Sequence, residues 1–264
     1  MARAVDSVFL LTDFGAGSHY VGVVKAVILT VNSRAIIHDL SHRIRPGDVR
    51  EAGYVLEASL PHLPPRSLVV AVVDPGVGSD RRIACFYGDG PTILAPDNGL
   101  LTGVATDGSV RVVEPERLEL APPASHTFHG RDVFAPVAAK LSLGLDPRRV
   151  GSVMRDWVAW PEWHPIQDAT GAWSGTIVHV DAFGNLITNL DATGMGEAIG
   201  RDPVAVGGAT IQQWGRTFSH VAPGKLLAYI GSTGHVEIAV RDGSAAARLG
   251  VENGAAVRLG PLES

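Results

Sequence analysis

The chain has 264 residues, of which 45% are hydrophobic and 19% charged, and its formal net charge is −5. This composition indicates a globular protein of one large or two modest domains and excludes an intrinsically disordered chain. A negative chain without blocks of like charge argues against nucleic acid or anionic membrane as a partner. Cys85 is the single cysteine, which excludes an internal disulfide, and we expect it in the core. With no signal-like N-terminus and no apolar run of about 18 residues, the expected protein is soluble and cytoplasmic.

The first predicted element is a strand, Ser7 to Thr12, that ends at an Asp-Phe-Gly turn beginning with Asp13. Tyr20 to Val31 then has apolar residues at helical spacing. The loop between them lacks the GxGxxG spacing of a dinucleotide site. Asp13 is therefore either an ordinary turn residue or a carboxylate that accepts hydrogen bonds from the vicinal hydroxyls of a ribose.

A second strand is predicted within residues 35–42, followed by a helix from Asp48 to Ser59 with Asp48 near its start. His38 and His42 have a spacing that suits one face of a helix, whereas this stretch reads as extended. We therefore do not expect them to bind a metal.

A buried strand, Val69 to Val73, leads directly into Asp74. Five apolar residues closed by turn residues are typical of a strand in a parallel sheet, and such sheets bind ligands at their carboxyl edge. Gly76 and Gly78 allow a tight turn there, and Arg81 follows within reach. A carboxylate that merely caps the turn is the alternative.

The rest of this half is predicted to contain a hairpin of strands, Ile83 to Tyr87 and Thr92 to Ala95, then a strand from Ser109 to Val113 and a helix from Val133 to Leu143. His129 stands just before that helix beside glycine and charged residues. This setting is not typical of a core histidine, so His129 is either a site residue or a surface loop residue.

Composition changes after this helix, because three tryptophans and two prolines fall within residues 157–165. Such a segment favours an ordered connector over a flexible linker. The strands predicted beyond it are short and separated by glycine turns, which indicates a small antiparallel sheet or barrel. They are Gly175 to Val180, Val204 to Val206, Leu226 to Ile230, Val236 to Val240 and Ala256 to Leu259.

Residues 181–189 read as a polar and aromatic turn within this second part. Phe183 can stack on a nucleobase, and Asn185 can bind the edge of that base through its amide. A tight hairpin with Phe183 in the core is the alternative.

Five short motifs, taken together and in this order, resemble the S-adenosyl-L-methionine hydroxide adenosyltransferases, relatives of the fluorinase and chlorinase. They are Thr12-Asp13-Phe14-Gly15, Val73-Asp74-Pro75-Gly76-Val77-Gly78 with Arg81, Pro96-Asp97-Asn98-Gly99, Phe128-His129-Gly130-Arg131-Asp132 and Asp181-Ala182-Phe183-Gly184-Asn185.

The resemblance implies an α/β N-terminal domain with a mainly parallel sheet and a smaller, barrel-like, all-β C-terminal domain. We place these at residues 1–155 and 173–264, with residues 156–172 as the connector. It also implies hydrolysis of S-adenosyl-L-methionine to adenosine and L-methionine without a metal or organic cofactor, in a homotrimer with sites at subunit interfaces.

The resemblance further implies roles for individual residues. Its catalytic set falls on Asp74, Arg81 and His129, and its ribose carboxylate on Asp13. Phe128 is expected beside the nucleoside. The barrel residues expected to bind the substrate are Asp181, Phe183, Asn185, Ser232 and Glu237. Near Gly47, where the halogenases carry a tryptophan, the wall of the site stays unassigned.

Two positions depart from the halogenating relatives. Those enzymes have a tyrosine at the position of Asp74 and a halide-binding serine at that of Gly130. A carboxylate repels an approaching halide, and glycine offers no hydroxyl, so a hydrolase is favoured over a halogenase. A nucleoside-binding sensor is a further alternative, and a metal-dependent phosphoesterase is disfavoured because credible ligand spacing is lacking.

The expected chemistry is an in-line displacement at C5′ of the ribose. His129 is the candidate base, because an unperturbed histidine pKa is about 6.5. Asp74 could fix the imidazole tautomer. Arg81 could orient Asp74 or stabilise hydroxide-like character on the water. The sequence alone leaves these roles open.

Overall fold

The computed structural model describes residues 5–261, and the chain divides into two compact units, residues 1–160 and 161–264. Within the described part of the chain, no helix is long and apolar enough to cross a membrane. Each unit has a hydrophobic core of its own.

The strands and helices of the first unit follow in chain order. They are β1 (Ser7–Thr12), α1 (His19–Val31), β2 (Ile37–Ser41), α2 (Val49–Ser59), β3 (Ser67–Val72), β4 (Ile83–Gly88), β5 (Thr92–Pro96), β6 (Gly108–Val112) and α3 (Ala135–Ser142). Short 3₁₀ turns lie at Leu60–His62, Pro115–Leu118 and Pro147–Arg149, and a π-helical turn, Gly130–Phe134, precedes α3.

These six strands form one sheet in the order β2-β1-β3-β5-β4-β6. Neighbours from β2 to β5 are parallel, whereas β4 runs antiparallel to both β5 and β6. The mainly parallel α/β fold predicted from the sequence is confirmed, as is the hairpin of β4 and β5. The predicted helices are also present, each within a few residues of its expected bounds.

The central strand β3 shows why this sheet has two covered faces. All six of its residues are buried. Leu68, Val70 and Val72 join the core that also contains α1 and α3, while Val69 and Ala71 join the core that contains α2. An unbroken apolar strand is the signature of a sheet covered on both sides, so the first unit is a three-layer α/β/α structure.

The carboxyl ends of β1 and β3 meet at the point where the chain reverses its direction of winding. These strands are parallel neighbours with Thr12 paired to Val72, so Asp13 and Asp74 leave the sheet side by side. One connecting helix, α1, covers one face and the other, α2, covers the opposite face. Ligand sites of open α/β sheets form at such a switch point.

Side-chain caps fix where the two connecting helices begin. The Ser18 side chain accepts a hydrogen bond from Tyr20 N at 3.2 Å, and the Asp48 carboxylate accepts one from Glu51 N at 2.9 Å. Each cap satisfies an amide that the first helical turn leaves unbonded. The predicted start of α2 at Asp48 is thereby confirmed.

The second unit contains β7 (Ile166–Gln167), β8 (Trp173–Val180), β9 (Leu186–Asp191), α4 (Ala192–Met195), β10 (Val204–Val206), β11 (Ala209–Ile211), β12 (Leu226–Ile230), β13 (His235–Val240), α5 (Ala245–Leu249) and β14 (Ala256–Leu259). Single 3₁₀ turns lie at Pro161–Trp163, Gly196–Ala198 and Phe218–His220.

The strands of this unit form an antiparallel sheet in the order β11-β10-β14-β8-β9-β13-β12, with β7 on β8. Residues just after β11 hydrogen-bond to β12: Ala228 N donates to Gln213 O at 2.8 Å, and Gly215 N donates to Ala228 O at 2.9 Å. The sheet is therefore nearly closed, which confirms the predicted barrel-like second domain.

One prediction for this unit needs correction. Residues 181–189 were expected to form a single turn, but the turn ends at Asn185 and Leu186–Asp191 is strand β9. Leu186, Ile187 and Leu190 are buried, because β9 lies between β8 and β13 in the sheet. The polar residues of the motif obscured the apolar alternation that follows them.

Candidate active site

A cavity of about 120 Å³ lies at the carboxyl ends of β1 and β3 in the first unit. Three loops supply its wall, namely those after β1, β2 and β3, together with the segment that precedes the π turn. The residues around it are Asp13, Phe14, Gly47, Val72, Asp74, Pro75, Val77, Thr127, Phe128, His129 and Gly130.

Asp74, Arg81 and His129 form a continuous chain of hydrogen bonds at this cavity. Arg81 Nε donates to both oxygens of Asp74, at 3.0 and 2.8 Å, and its Nη2 also bonds to Asp74 Oδ2. Nη2 lies 2.9 Å from His129 Nδ1. The Asp74 and Arg81 side chains are only 5% and 9% exposed, so this is a buried ion pair. The structure thus brings together the three residues that the sequence singled out.

The order of these hydrogen bonds fixes the tautomer of the His129 imidazole. A guanidinium only donates hydrogen bonds, so His129 Nδ1 must be the acceptor and the ring proton must be on Nε2. Burial, followed by the positive charge of Arg81, lowers the pKa of His129 below its usual 6.5. His129 is therefore neutral near pH 7. Arg81 is therefore the residue that bonds to Nδ1 of the imidazole, a place that the sequence analysis left open to Asp74.

Gly78 is what allows the loop after β3 to reach His129. Its φ is +80°, and a Cβ on it would lie 2.5 Å from the carbonyl oxygen of His126. Only glycine fits both the left-handed conformation and this close approach. The loop carrying Arg81 can therefore pack directly against the segment that carries His129.

Asp13 presents a second carboxylate to the same cavity. Its Oδ2 accepts a hydrogen bond from Gly47 N at 2.8 Å. Burial raises the pKa of Asp13, and the negative charge of Asp74 adds to that increase. The wall near Gly47, which the sequence left unassigned, is thus formed by backbone that holds the Asp13 carboxylate.

Aromatic rings form the side of the cavity next to His129. Phe128 packs edge-on against Phe14 and Tyr20, with ring centroids 6.0 and 4.9 Å away. A Cβ at Gly130 would lie 3.1 Å from Phe14 Cζ and 3.3 Å from Phe128 Cε2. A side chain at residue 130 would therefore press on two of the rings that shape the cavity.

The motif containing Asp97 has a structural place in this unit. Asp97 Oδ2 accepts a hydrogen bond from Arg82 Nε at 2.9 Å, and Oδ1 accepts one from Val158 N at 2.7 Å. Asn98 Nδ2 donates to Val73 O at 2.9 Å. These bonds tie the turn after β5 to β3 and to the segment near residue 158.

In the second unit, Asp181 organises the turn between β8 and β9. Its Oδ1 accepts hydrogen bonds from Phe183 N and Asn185 N, both at 2.9 Å, and its Oδ2 accepts one from Asn185 Nδ2 at 2.8 Å. Asn185 is buried, whereas the Phe183 residue is 79% exposed in the single chain. The alternative of a hairpin with Phe183 in the core is therefore wrong.

Glu237 and Ser232 lie at the hairpin of β12 and β13. Glu237 is buried, which raises its pKa, and Tyr229, its cross-strand partner, donates a hydrogen bond to it through the phenol. Ser232 lies in the exposed turn of that hairpin. The negative charge of Asp181 also raises the pKa of Glu237, so the two groups of predicted barrel residues are close enough to interact.

Some residues around these groups were not predicted. Phe14 was quoted only as part of a motif, and its position directly after Asp13 was the available signal. Thr127 and Tyr229 carried no signal, since their places follow from a loop and from strand pairing. Within residues 5–261, no three His, Cys, Asp or Glu side chains are grouped so as to hold a metal ion.

Known proteins resemble this chain over nearly its whole length. It is 41% identical over 261 residues to the (R)-S-adenosyl-L-methionine hydrolase of Thermus thermophilus, covering 96% of this chain and 98% of that protein. The protein of the same name from Salinispora arenicola is 36% identical, covering 94% and 95%. A fluorinase from an Actinoplanes species is less similar, at 28% over 218 residues, covering 71% and 72%.

Structure and family comparisons agree with these relatives. The crystal structure of an uncharacterised conserved protein from Thermotoga maritima superposes with a TM-score of 0.87 at 35% identity, covering 96% of this chain and 100% of that one. The model of the SAM hydroxide adenosyltransferase N-terminal domain matches residues 8–151, and that of the C-terminal domain matches residues 175–258. With both domains matched in order, the chain belongs to the SAM hydroxide adenosyltransferase family.

Proposed function

We propose that this protein hydrolyses S-adenosyl-L-methionine to adenosine and L-methionine. Water attacks C5′ of the ribose, the C5′–sulfur bond breaks, methionine leaves as a neutral thioether, and one proton is released. The observation that carries the proposal is the Asp74–Arg81–His129 chain at a cavity that Asp13 also lines. A sulfonium is already an activated leaving group, so the proposed step uses neither a metal nor an organic cofactor.

The charge of the cavity supports a cationic substrate. Asp13 and Asp74 both line it, and the negative charge of Asp74 disfavours ionisation of Asp13 by raising its pKa. A sulfonium cation relieves that repulsion, whereas a halide would increase it. The crowding at Gly130 leaves little room for the serine that a halide site would use. Hydrolysis is therefore favoured over halogenation.

The tautomer of His129 suggests how the water is handled. With its Nδ1 bonded to Arg81, the imidazole offers only Nε2–H, a donor that can hold the water oxygen. Asp74 has lone pairs beyond those engaged by Arg81, so it can accept the proton that the water loses. We therefore assign the base to Asp74 and water positioning to His129. A cavity without bulk water favours this reaction, because charge is dispersed in the transition state as the water oxygen approaches C5′, the carbon bonded to the sulfonium.

Binding of the nucleoside is assigned to both units. The ribose hydroxyls donate to Asp13, Phe128 flanks the sugar, and Phe183 stacks on adenine while Asn185 bonds to its edge. Asp181 supports that turn. Ser232 and Glu237 are assigned to the barrel side of the substrate.

A homotrimer with shared sites is part of this proposal. The cavity of the first unit, at about 120 Å³, is smaller than the roughly 300–1,000 Å³ of typical small-molecule sites. An exposed Phe183 is suited to complete the site of a neighbouring subunit, and cyclic symmetry repeats such a contact without leaving a free patch. A fully active monomer in light scattering at assay concentration would refute it. We also propose a cytoplasmic protein without nucleic-acid or membrane partners, consistent with the net charge of −5.

The decisive experiment is incubation of the purified protein with S-adenosyl-L-methionine in ¹⁸O-water, followed by chromatography and mass spectrometry. We expect equal amounts of methionine and adenosine, with one heavy oxygen at the 5′ position. In high chloride, 5′-chloro-5′-deoxyadenosine would instead indicate a halogenase. Binding of adenosine without turnover would indicate a sensor, and either result would overturn the proposal.

A further inference from the structure

We propose that His42 is a positioning residue that sets the orientation of the Asp13 carboxylate. This inference rests on the proposed function, because it takes Asp13 to bind the ribose hydroxyls. His42 lies outside the cavity and is buried at the start of the loop after β2.

His42 holds the chain on both sides of Asp13. Its Nδ1 lies 2.8 Å from Thr12 Oγ1, and its carbonyl oxygen accepts a hydrogen bond from Gly15 N at 2.9 Å. Phe14 N donates to the same Thr12 hydroxyl at 3.2 Å. The residue before Asp13 and the two after it are therefore tied, directly or through Thr12, to one imidazole-bearing residue.

The other side of the imidazole faces the ion pair of Lys25 and Asp39. His42 Nε2 lies 2.9 Å from Asp39 Oδ1, and Lys25 Nζ donates to Asp39 Oδ2 at 2.7 Å. Burial opposes ionisation of Asp39, but the hydrogen bonds from Lys25 and His42 outweigh it and lower the pKa of this carboxyl. The chain of contacts thus runs from α1 through β2 to the loop that carries Asp13.

These contacts begin where the backbone pairing of the two strands becomes irregular. The register of β1 and β2 shifts between Leu10 and Leu11, and the last pair is Leu11 with Ser41. Beyond that point, the end of β1 and the loop after β2 are joined by the side-chain contact of Thr12 with His42. The loop of His42 also supplies Gly47 N, which donates to Asp13 Oδ2. Both restraints on the carboxylate therefore come from residues 42–47.

The test compares two ligands by calorimetry, adenosine and 2′,3′-dideoxyadenosine, which lacks the hydroxyls that Asp13 would bind. His42→Phe removes both ring nitrogens while keeping a planar ring. We expect it to weaken adenosine by about 5- to 30-fold, as for one or two lost hydrogen bonds, and dideoxyadenosine by much less. In an Asp13→Ala background, His42→Phe should have no further effect on adenosine.

Further variants separate positioning from general stability. Thr12→Val removes only the bridging hydroxyl, and it should reproduce the selective loss even if His42→Phe does not fold. His42→Asn retains a polar group near the Nδ1 position and should restore part of the affinity. His38→Asn is the matched control on β2, the strand just before His42, because His38 is exposed and stacks on Phe9 outside this network.

The outcomes distinguish this inference from the proposed function. Equal weakening of both ligands by Thr12→Val, or an undiminished effect of His42→Phe without Asp13, would overturn the positioning role while wild-type hydrolysis of S-adenosyl-L-methionine stood. A wild-type protein that bound both ligands equally would remove the ribose role of Asp13, and this inference with it.

Discussion

Asp74→Asn tests the central assignment, because it removes the charge and one acceptor oxygen while keeping the size of the side chain. Asp74 and Arg81 are almost completely buried and joined by three N–H···O contacts. In the variant, an amide NH₂ replaces one carboxylate oxygen at the guanidinium. Removing a partner from a buried pair costs about 3–5 kcal/mol, so we expect a loss of unfolding free energy up to that size.

Turnover should fall further than this loss of stability explains. Loss of a positioned base lowers the chemical rate by about 10²–10⁴-fold. Affinity for adenosine should change by much less, because Asp13, the carboxylate proposed to bind the ribose, is unchanged. Single-turnover formation of adenosine, adenosine calorimetry and urea unfolding measure the three quantities separately.

Asp97→Asn is the matched control. Asp97 is likewise a buried carboxylate at the end of a strand and is paired with an arginine, Arg82, but it does not line the cavity. We expect a loss of stability with near-native turnover of the folded protein. Near-native turnover of Asp74→Asn, or an equal fall for Asp97→Asn, would refute the assignment of the base.

Asp13→Ala should weaken adenosine much more than 2′,3′-dideoxyadenosine, since two bonds to a charged group are worth about 1.5–3 kcal/mol each; equal losses in calorimetry would remove Asp13 from the ribose site. His129→Gln, which keeps an N–H donor, should retain more activity than Asp74→Asn in the same assay, and the reverse order would make His129 the base. Because the pKa of His129 is lowered in the folded protein, its neutral form should persist below pH 6.5, so kcat/KM should fall only at more acidic pH. As pH falls, His129 takes up a proton in the unfolded chain before it does so in the folded protein. Protonation of His129 should therefore lower the unfolding free energy as pH drops from about 6.5 towards the pKa in the folded protein. A fall in kcat/KM that began well above pH 6.5 would contradict the assignment of His129 as a neutral donor. Gly130→Ser should weaken adenosine by crowding Phe14 and should yield no chlorinated product in high chloride, whereas chlorination would show that Asp74 does not exclude halide.

The sequence alone determined where polar groups leave the sheet. The apolar run of β3, whose six residues are all buried, and the turn residues that follow it were enough to place Asp74 at a strand end. A strand buried on both faces needs continuous apolar residues, and a tight turn needs glycine. Both features can therefore be predicted from a short stretch of sequence. The same reasoning located Asp13, the start of α2 at Asp48 and five strands of the barrel, namely β8, β10, β12, β13 and β14.

Local reasoning failed where an element depended on its neighbours. Strand β9 was predicted as part of a turn, because a polar motif comes directly before it. Its apolar residues become a recognisable strand only when it pairs with β8 and β13 in the sheet. Likewise, Phe183 reads equally well as a core residue or an exposed one, and only the packing of the turn decides that it is exposed.

Only the tertiary structure decided the order of the hydrogen bonds that join Asp74, Arg81 and His129. Arg81 and His129 are 48 residues apart, and Thr12 and His42 are 30 residues apart, so neither contact could be predicted from spacing along the sequence. Both depend on which loops meet at one sheet edge, and the contact of Arg81 with His129 also depends on the close approach of Gly78 to His126. The same residue types would also allow Asp74 to bind the imidazole directly. A guanidinium has donors for both partners, so Arg81 can lie between them, and the proton of the His129 ring is then on Nε2.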